Sequence, residues 1–560
     1  MIEAVLMADG GEAKGDLDEH RTWLLKTMEK ACNAAMPKVK ARSPRKAYWW
    51  SEEIAKLRRV SDHARRTVRR RKRKSKARAW KELLSSLDED PWGRPYRMVL
   101  NKLRGGTAPI TETLDPQLIN RVIDTLFPHV EEKEDLIPVR EWEWDGGIMG
   151  VTGGELRDAV RKIKNGKAPG PDGIYGKAWV LAHRGLAKPM RHLYTECFRM
   201  GIFSREWKEA HVVLLPKQGK PKDSPSAYRP ICLLDEAGKI LEKIIANRLV
   251  YHLSRDGPNL SEEQYGFRAG RSTIDAVLRV RSIAEAVTEG GGVLLAVSLD
   301  ISNAFNTLPW HRVGEALRYH RVPPYLVAIL RDYFRDRMLA YTDRDAEERR
   351  RRMSCGVPQG SVLGPLMWNL AYDVVLWTAL PLGYHAICYA DDTLVMAGGE
   401  TWEEATARAN LAMARVVRLI KQIGLKVAPQ KTEAVFMHNG SQGMPPKAQI
   451  TVENTPVEME THMKYLGLHL DGKWSFGEHF LQISPRVERA AMALCRLLPN
   501  LGGPDESVRR LYAGTVHSML MYGAPVWAEK LEATRKAKDA MHQLQKRVAN
   551  RICRDYCTFS

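Results

Sequence analysis

The sequence predicts a mixed α/β fold, an antiparallel sheet backed by helices, and three features of the chain carry that prediction. Val293-Leu294-Leu295-Ala296-Val297-Ser298-Leu299 is a near-continuous apolar run ending on Asp300, the pattern of a strand buried on both faces. Ala386-Ile387-Cys388-Tyr389 and Thr393-Leu394-Val395-Met396, rich in β-forming and aromatic residues, flank a turn that carries Asp391-Asp392 where Gly or Asn is usual. Leu234 to Leu249 and Ser272 to Val287 have the spacing of amphipathic helices.

The acids at the ends of these strands define the chemistry. An isolated Asp-Asp pair is ordinarily a polar hairpin turn. Here the flanking strands are apolar, and pairing them in one sheet with the 293–299 strand would bring Asp300, Asp391 and Asp392 together. Carboxylates are costly to desolvate unless paired or bound to metal, so this trio calls for a divalent cation. Two Mg²⁺ ions, held about 3.5–4 Å apart in such sites, activate a 3′-hydroxyl and stabilise a pyrophosphate leaving group in in-line phosphoryl transfer. That is the chemistry of a polymerase palm, with Mn²⁺ as an alternative ion.

Composition agrees with a polyanionic partner. The 560 residues include 87 Lys and Arg against 67 Asp and Glu, a formal net charge of +20. With 44% hydrophobic residues the chain can bury several cores. No apolar run reaches membrane-spanning length, and Met1 to Asp9 lacks a basic leader and a sufficient apolar core, so no membrane association and an intracellular protein are expected. Eight scattered cysteines argue for reduced thiols. Cys553 and Cys557 alone are close enough for half a zinc site, and two ligands do not make a knuckle.

In chain order, residues 1 to 106 read as a basic helical linker, with the cationic block Arg69-Arg70-Arg71-Lys72-Arg73-Lys74 suited to phosphate binding, nuclear targeting or a solvated face. Ser61-Asp62-His63 lies in this basic stretch with no apolar strand before it and reads as surface. From Thr152 to Lys167 a capping box, Thr152 with Glu155, starts a helix whose apolar face is Leu156, Val160 and Ile163. The loop Lys167-Ala168-Pro169-Gly170-Pro171-Asp172-Gly173-Ile174 either holds a template phosphate or simply turns. His211 to Ile231 reads as a hairpin whose Lys217, Lys220 and Arg229 can pair with triphosphate oxygens or stand in solvent. A helix from the Thr401–Glu404 capping box to Gly424 precedes Lys431, and Ser484 to Cys557 reads as helices with apolar spacing at Leu494, Leu497, Leu498, Leu511, Met519 and Leu520.

The order of these segments resembles the reverse transcriptases of non-LTR, LINE-type retrotransposons from about residue 150 to 480. Seven matches carry the resemblance: Ala168-Pro169-Gly170-Pro171-Asp172-Gly173, Tyr228-Arg229-Pro230-Ile231, Gln264-Tyr265-Gly266-Phe267-Arg268, Leu299-Asp300-Ile301-Ser302-Asn303-Ala304-Phe305-Asn306, Gly356-Val357-Pro358-Gln359-Gly360-Ser361, the Asp391-Asp392 pair, and Lys464-Tyr465-Leu466-Gly467. Tyr48-Trp49-Trp50-Ser51-Glu52-Glu53 and Asp90-Pro91-Trp92-Gly93-Arg94-Pro95-Tyr96 look like the linker of the type-one insect elements that insert into ribosomal DNA. Asn306, where many relatives carry Asp, agrees with that group.

The resemblance implies a right-hand polymerase: a basic linker over 1–106, fingers and palm over 107–480, and a helical, truncated thumb over 481–560. It implies that Asp300 and Asp391 bind two Mg²⁺ with the Ile301 carbonyl, that Asp392 supports the site, and that Lys431 protonates pyrophosphate. Phe305 matches the aromatic gate that blocks a ribose 2′-hydroxyl, although core packing is the usual fate of Phe. Gln359 and Gly360 lie in a turn beside the nascent base pair. Lys464 to Gly467 matches a primer grip at the base of the thumb. RNA template, DNA primer and dNTPs are the implied partners, in the nucleus at integration and in the cytoplasm as a ribonucleoprotein; oligomeric state is not legible. An endonuclease and a cysteine-histidine knuckle are expected to be missing from this piece, so it is not expected to nick its own target. A nucleic-acid-binding remnant without catalysis is the alternative. An RNA-dependent RNA polymerase is disfavoured by Phe305 and by Ala390, where such enzymes usually carry Gly.

Overall fold

The structure, a computed structural model, describes residues 16–35, 96, 110–130, 149–497 apart from 165, 218, 346, 379, 380 and 382, and 506–553 apart from 534. The basic block 69–74, the linker matches at 48–53 and 90–95, Ser61-Asp62-His63, Leu498 and Cys557 lie outside the described residues. Two compact units form, one from Met1–Lys38 with Thr107–Leu466 and one from Val39–Gly106 with Gly467–Ser560. Among the described residues no helix is long and apolar enough to cross a membrane, and Cys32, Cys197, Cys232, Cys355 and Cys388 are free thiols.

The first unit contains strands β1 (Glu209–Pro216), β2 (Tyr228–Leu233), β3 (Val293–Leu299), β4 (Met338–Thr342), β5 (Glu348–Arg352), β6 (Tyr384–Tyr389), β7 (Asp392–Gly399), β8 (Glu433–Met437), β9 (Gln449–Val452) and β10 (Thr455–Glu460). Six of them form a sheet in the order β6-β7-β3-β8-β10-β9. The apolar run 293–299 occupies its interior, antiparallel to β7 on one side and β8 on the other. That position explains why Leu294, Leu295, Ala296 and Val297 are all fully buried: an interior strand covered on both faces has no solvent side. One pair departs from the antiparallel expectation. β10 runs parallel to β8, because the chain between them makes the extra strand β9 and returns in the same direction.

Helices Thr273–Thr288 and Trp402–Gln422 pack on this sheet. Two glycines at the end of β7 let them approach. A Cβ at Gly399 would lie 2.5 Å from the Ala405 amide nitrogen, and one at Gly398 would lie 3.2 Å from Val287. Ser272 and Asp275 form a complete capping box at the first helix. At the second, Thr401 caps Glu404, whose own carboxylate reaches back to the Glu400 amide rather than to Thr401, so only half of the expected box is made. The Thr152–Glu155 box is complete, and its helix ends at Arg161, short of the predicted Lys167.

The remaining four strands form a second sheet, β2-β1-β4-β5. Its β1–β2 hairpin matches the expectation over 211–231, with Leu215 opposite Arg229. β4 joins β1 in parallel and pairs with β5, an edge strand of consecutive arginines whose charge discourages pairing with another chain. In the second unit the helices are Gly477–Leu497, Glu506–Leu520, Ala524–Ala533 and Arg535–Cys553. Leu494, Leu511 and Leu520 are buried there, Met519 is half-buried, and Phe480 packs edge-on against Trp527 at 5.1 Å.

The Pro/Gly loop 168–174 is anchored from within. Its amides are used locally: Asp172 N–H donates to the Asp235 carboxylate at 3.0 Å, Ile174 N–H to the Asp172 carboxylate at 2.9 Å, and Gly173 N–H to the Gly170 carbonyl at 3.0 Å. Gly170 lies so close that a Cβ would sit 2.4 Å from the Asp235 amide nitrogen. The loop therefore turns on Asp235, and these three amides are not available to a phosphate. Burial, then the charge of Asp172, pushes the Asp235 carboxyl up to about 7. Because that value lies above the roughly 3.9 of an unfolded aspartate, the stabilising contribution is full below about pH 4 and is lost as pH rises through 7. Asp235→Asn keeps an acceptor for Asp172 N–H and removes the repulsion. Between pH 5 and 8.5 the Tm of the wild type should fall relative to that of the variant, by the equivalent of roughly 1–3 kcal/mol at the upper end; parallel profiles would refute this assignment.

Candidate active site

The sheet register builds the site. Leu299 of β3 pairs with Thr393 of β7, so the residues that follow and precede them, Asp300 and Asp392, leave the sheet at the same edge. β6 and β7 are joined by a two-residue turn, Ala390-Asp391, closed by the pair Tyr389–Asp392. Ala390 adopts the left-handed conformation, φ +62°, which is uncommon for a residue other than Gly, Asn or Asp. The three predicted carboxylates are thus delivered by two adjacent strands.

Their charges act on one another. Burial, and then the negative charge of Asp300, raises the Asp391 carboxyl above its usual range. Partial desolvation, then Asp391 and Asp300, pushes Asp392 up to about 6. The Asp300 carboxylate is paired with the Lys431 ammonium. Among the described residues no three metal-ligating side chains converge into a finished cation cage. The donor set nevertheless fits cations: three mutually repelling oxygen ligands, hard in character, with a lysine already standing in as the positive charge at Asp300.

The chain beyond β3 is held in place by the segment before Lys431. Ser302 N–H donates to the Lys426 carbonyl and Ala428 N–H to the Asp300 carbonyl, both at 2.8 Å, forming a bridge between Ile301 and Val427. The Ile301 carbonyl takes no part in that bridge. Lys431 ends the 3-10 turn Pro429–Lys431 and is exposed. Lys217 stands nearby: burial, then the positive charges of Lys220, Arg229 and Lys431, lowers its pKa. Lys220, Arg229 and Lys431 therefore each lie within electrostatic reach of Lys217, and Lys217 Nζ is tied back to the Ser226 carbonyl at 3.1 Å.

Phe305, half-buried, stacks on Trp368 at 5.1 Å and meets the edge of the exposed Phe267 at 5.9 Å. The Gly356–Ser361 segment lies directly against it. Val357 N–H donates to the Phe305 carbonyl and Gly356 N–H to the Leu308 carbonyl, both at 2.7 Å, while Trp310 Nε1–H donates to the Gly356 carbonyl at 2.7 Å. Further on, the Gln359 carbonyl accepts from the Cys232 amide of β2 at 2.8 Å, and Gly360 packs so tightly that a Cβ would fall 2.4 Å from the Cys232 carbonyl oxygen. The structure thus joins Phe305, Gln359 and Gly360 in one assembly spanning both sheets.

Three participants were not legible as such in the sequence. Asn306 is fully buried, donates to Asn303 Oδ1 at 2.7 Å and lies 3.5 Å from Gln359 Nε2, so it orients the turn. Glu242, buried on the helix Glu236–Arg255, accepts from the Val362 and Leu363 amides at 2.5 and 3.1 Å and so holds the start of the helix Gly364–Tyr372. Gln264, fully buried, lies against Ala390. Gln264 and Asn306 stood inside matched motifs without a role, and Glu242 offered only a polar residue in an otherwise unremarkable helix.

A sheet of this order, with one acid at the end of its interior strand and two on the adjoining hairpin, is the palm of a template-directed polymerase. Residues 215–470 match the family described as reverse transcriptase (RNA-dependent DNA polymerase), so the chain carries a reverse transcriptase domain. It is 26% identical over 480 residues to the retrovirus-related Pol polyprotein from type-1 retrotransposable element R1 of Bradysia coprophila, covering 82% of this chain and 46% of that one. It is likewise 26% identical to the putative 115 kDa protein in type-1 retrotransposable element R1DM of Drosophila melanogaster (96% and 54% covered), and 27% identical to the probable RNA-directed DNA polymerase from transposon BS of the same species (78% and 49%). The chain spans about half the length of these curated relatives. Among solved structures, apo telomerase from Candida tropicalis overlaps 48% of this chain at a TM-score of 0.35 and 13% identity.

The tightest of these contacts can be tested by volume. A Cβ at Gly356, where φ is +79°, would lie 2.3 Å from the Asn306 carbonyl oxygen, whereas Gly443, at φ +83°, has nothing within 4 Å. Left-handed strain costs about 1–2 kcal/mol and overpacking another 1–3. Urea unfolding should therefore show Gly356→Ala destabilised by roughly 2–4 kcal/mol and Gly443→Ala by the strain alone; equal losses would contradict the clash.

Proposed function

We propose that this chain is the RNA-directed DNA polymerase of a non-LTR retrotransposon, copying element RNA into DNA from a nicked-DNA primer by two-metal nucleotidyl transfer. The observation that carries the proposal is the placement of Asp300, Asp391 and Asp392 at the same end of β3 and the β6–β7 hairpin, where burial, and then the charge of the neighbouring carboxylates, raises the latter two. Asp300, Asp391 and Asp392, with the Ile301 carbonyl, would hold two Mg²⁺ ions, Mn²⁺ being the alternative; when bound, these supply the charge that activates the primer hydroxyl and stabilises the leaving pyrophosphate.

The chain's own residues do the rest. Lys217, Lys220 and Arg229 present cations on the β1–β2 hairpin for the triphosphate, Arg through a planar fork and Lys as point charges. Lys431, now paired with Asp300, has the donor to protonate departing pyrophosphate. Phe305, braced by Trp368, would exclude a ribose 2′-hydroxyl, and the Gln359-Gly360 turn would line the base pair being formed. In this reading 107–480 supplies fingers and palm and 481–560 the thumb, the enzyme travels in the cytoplasm as a ribonucleoprotein, and it acts in the nucleus. Binding of template and primer through phosphates should lose about 0.7–0.9 log units of affinity per log unit of salt for each phosphate neutralised.

Extension of a DNA primer on an RNA template by the purified chain, with dNTPs and Mg²⁺, tests the reading. Asp391→Ala should reduce extension at least about a hundredfold, and Phe305→Ala should raise the use of NTPs relative to dNTPs by about 10–100-fold. Comparable extension by wild type with NTPs alone would point instead to an RNA polymerase. Tight template-primer binding without extension would favour a non-catalytic remnant.

A further inference from the structure

The Gln264-Tyr265-Gly266-Phe267-Arg268 segment has no part in the chemistry described so far, yet it is built against the turn that carries Asp391. Glu263 to Tyr265 adds to β6 as a short parallel edge: Cys388 N–H donates to the Glu263 carbonyl at 2.9 Å and Tyr265 N–H to the Cys388 carbonyl at 2.8 Å. That pairing carries the Gln264 side chain past the end of β6 to the peptide of Ala390. Its Oε1 accepts from Ala390 N–H at 3.0 Å and from Gly266 N–H at 2.9 Å, and its Nε2 lies 3.4 Å from the Ala390 carbonyl oxygen. Gln264 is fully buried, so water does not compete for these groups.

The neighbouring residues keep that grip close. A Cβ at Gly266 would lie 2.2 Å from the Ala390 amide nitrogen, so only glycine lets the segment come this near. The Gly266 carbonyl is held in turn by Nδ2 of the fully buried Asn369 at 2.8 Å.

We propose that Gln264 is a positioning residue for Asp391: by holding both the N–H and the C=O of Ala390, its amide keeps that residue left-handed and so fixes where the next carboxylate points. The inference rests on the polymerase reading of the Asp300, Asp391 and Asp392 site. The physical argument is that alanine at φ +62° has no intrinsic preference for that conformation. A two-residue turn without glycine or asparagine at this position must be held from outside. An amide that satisfies donor and acceptor of the same residue selects one orientation of the peptide, because a flip would leave buried polar groups unpaired.

The test uses the full chain with Gln264→Met, which keeps the length of the side chain and removes its hydrogen bonds. In primer extension kcat should fall at least tenfold while the KM for dNTP stays within about twofold. In the complex with a dideoxy-terminated primer on RNA template, Mn²⁺ affinity read by electron paramagnetic resonance should weaken at least fivefold. Ala390→Gly placed in the Gln264→Met background should recover much of both losses, since glycine adopts positive φ without the grip; a role confined to core packing would show no such rescue. Wild-type kcat and Mn²⁺ affinity in Gln264→Met, or losses that Ala390→Gly leaves untouched, would overturn the proposal. Should Gln264→Met not fold, Gln264→Glu, which keeps the acceptor and loses the donor, takes its place: kcat reduced three- to tenfold at unchanged KM supports the role, and wild-type kcat overturns it. If wild type itself fails to extend a primer, the polymerase reading falls, and the Mn²⁺ comparison still decides on Gln264.

Discussion

Repulsion among Asp300, Asp391 and Asp392 is the constraint on which the rest of the palm depends. Three carboxylates at one partly desolvated end of the sheet oppose folding unless positive charge answers them, and burial, then the charge of the neighbouring acids, raises both Asp391 and Asp392 above their usual range. Two things hold the acids there. β3, β6 and β7 are locked by continuous antiparallel pairing over an apolar core, which resists splaying. Lys431 supplies a positive charge at Asp300.

The same economy of packing links Phe305 to the second sheet. Phe305 follows β3 within a few residues, and its carbonyl is taken by Val357, whose own segment ends on Cys232 of β2. The hairpin β1–β2, which carries Lys217 and Arg229, is therefore connected to Phe305 through Gly360, Gln359 and Val357. Glycines make these contacts feasible: at Gly356 and Gly360 any side chain would overlap a carbonyl oxygen of the adjoining segment.

Much of the fold was legible because its signals are local. The run 293–299, the acids at 300, 391 and 392, the β1–β2 hairpin and the capping box at Thr152 all depend on residues within a few positions of one another, and each appears where the sequence indicated. β4, β5, β9 and β10 were not anticipated. β5 is a row of arginines and β10 mixes Glu with Thr and Pro, so neither has a strand's usual composition; they are strands because a neighbouring strand offers partners. The loop 168–174 was recognisable as a loop, but not that Asp235, over sixty residues away, consumes its amide.

By itself, the sequence determined the residue types that chemistry needs and the order in which they occur, since apolar periodicity and acid placement are properties of short segments. Tertiary structure alone decided who holds them. Lys431 on Asp300, Asn306 beside Gln359, Glu242 under Val362 and Gln264 on Ala390 are separated by between 53 and 131 positions. The reason is physical: a buried amide or carboxylate takes whichever polar partner the packing presents, and that partner is selected by the meeting of distant elements, which no local pattern encodes.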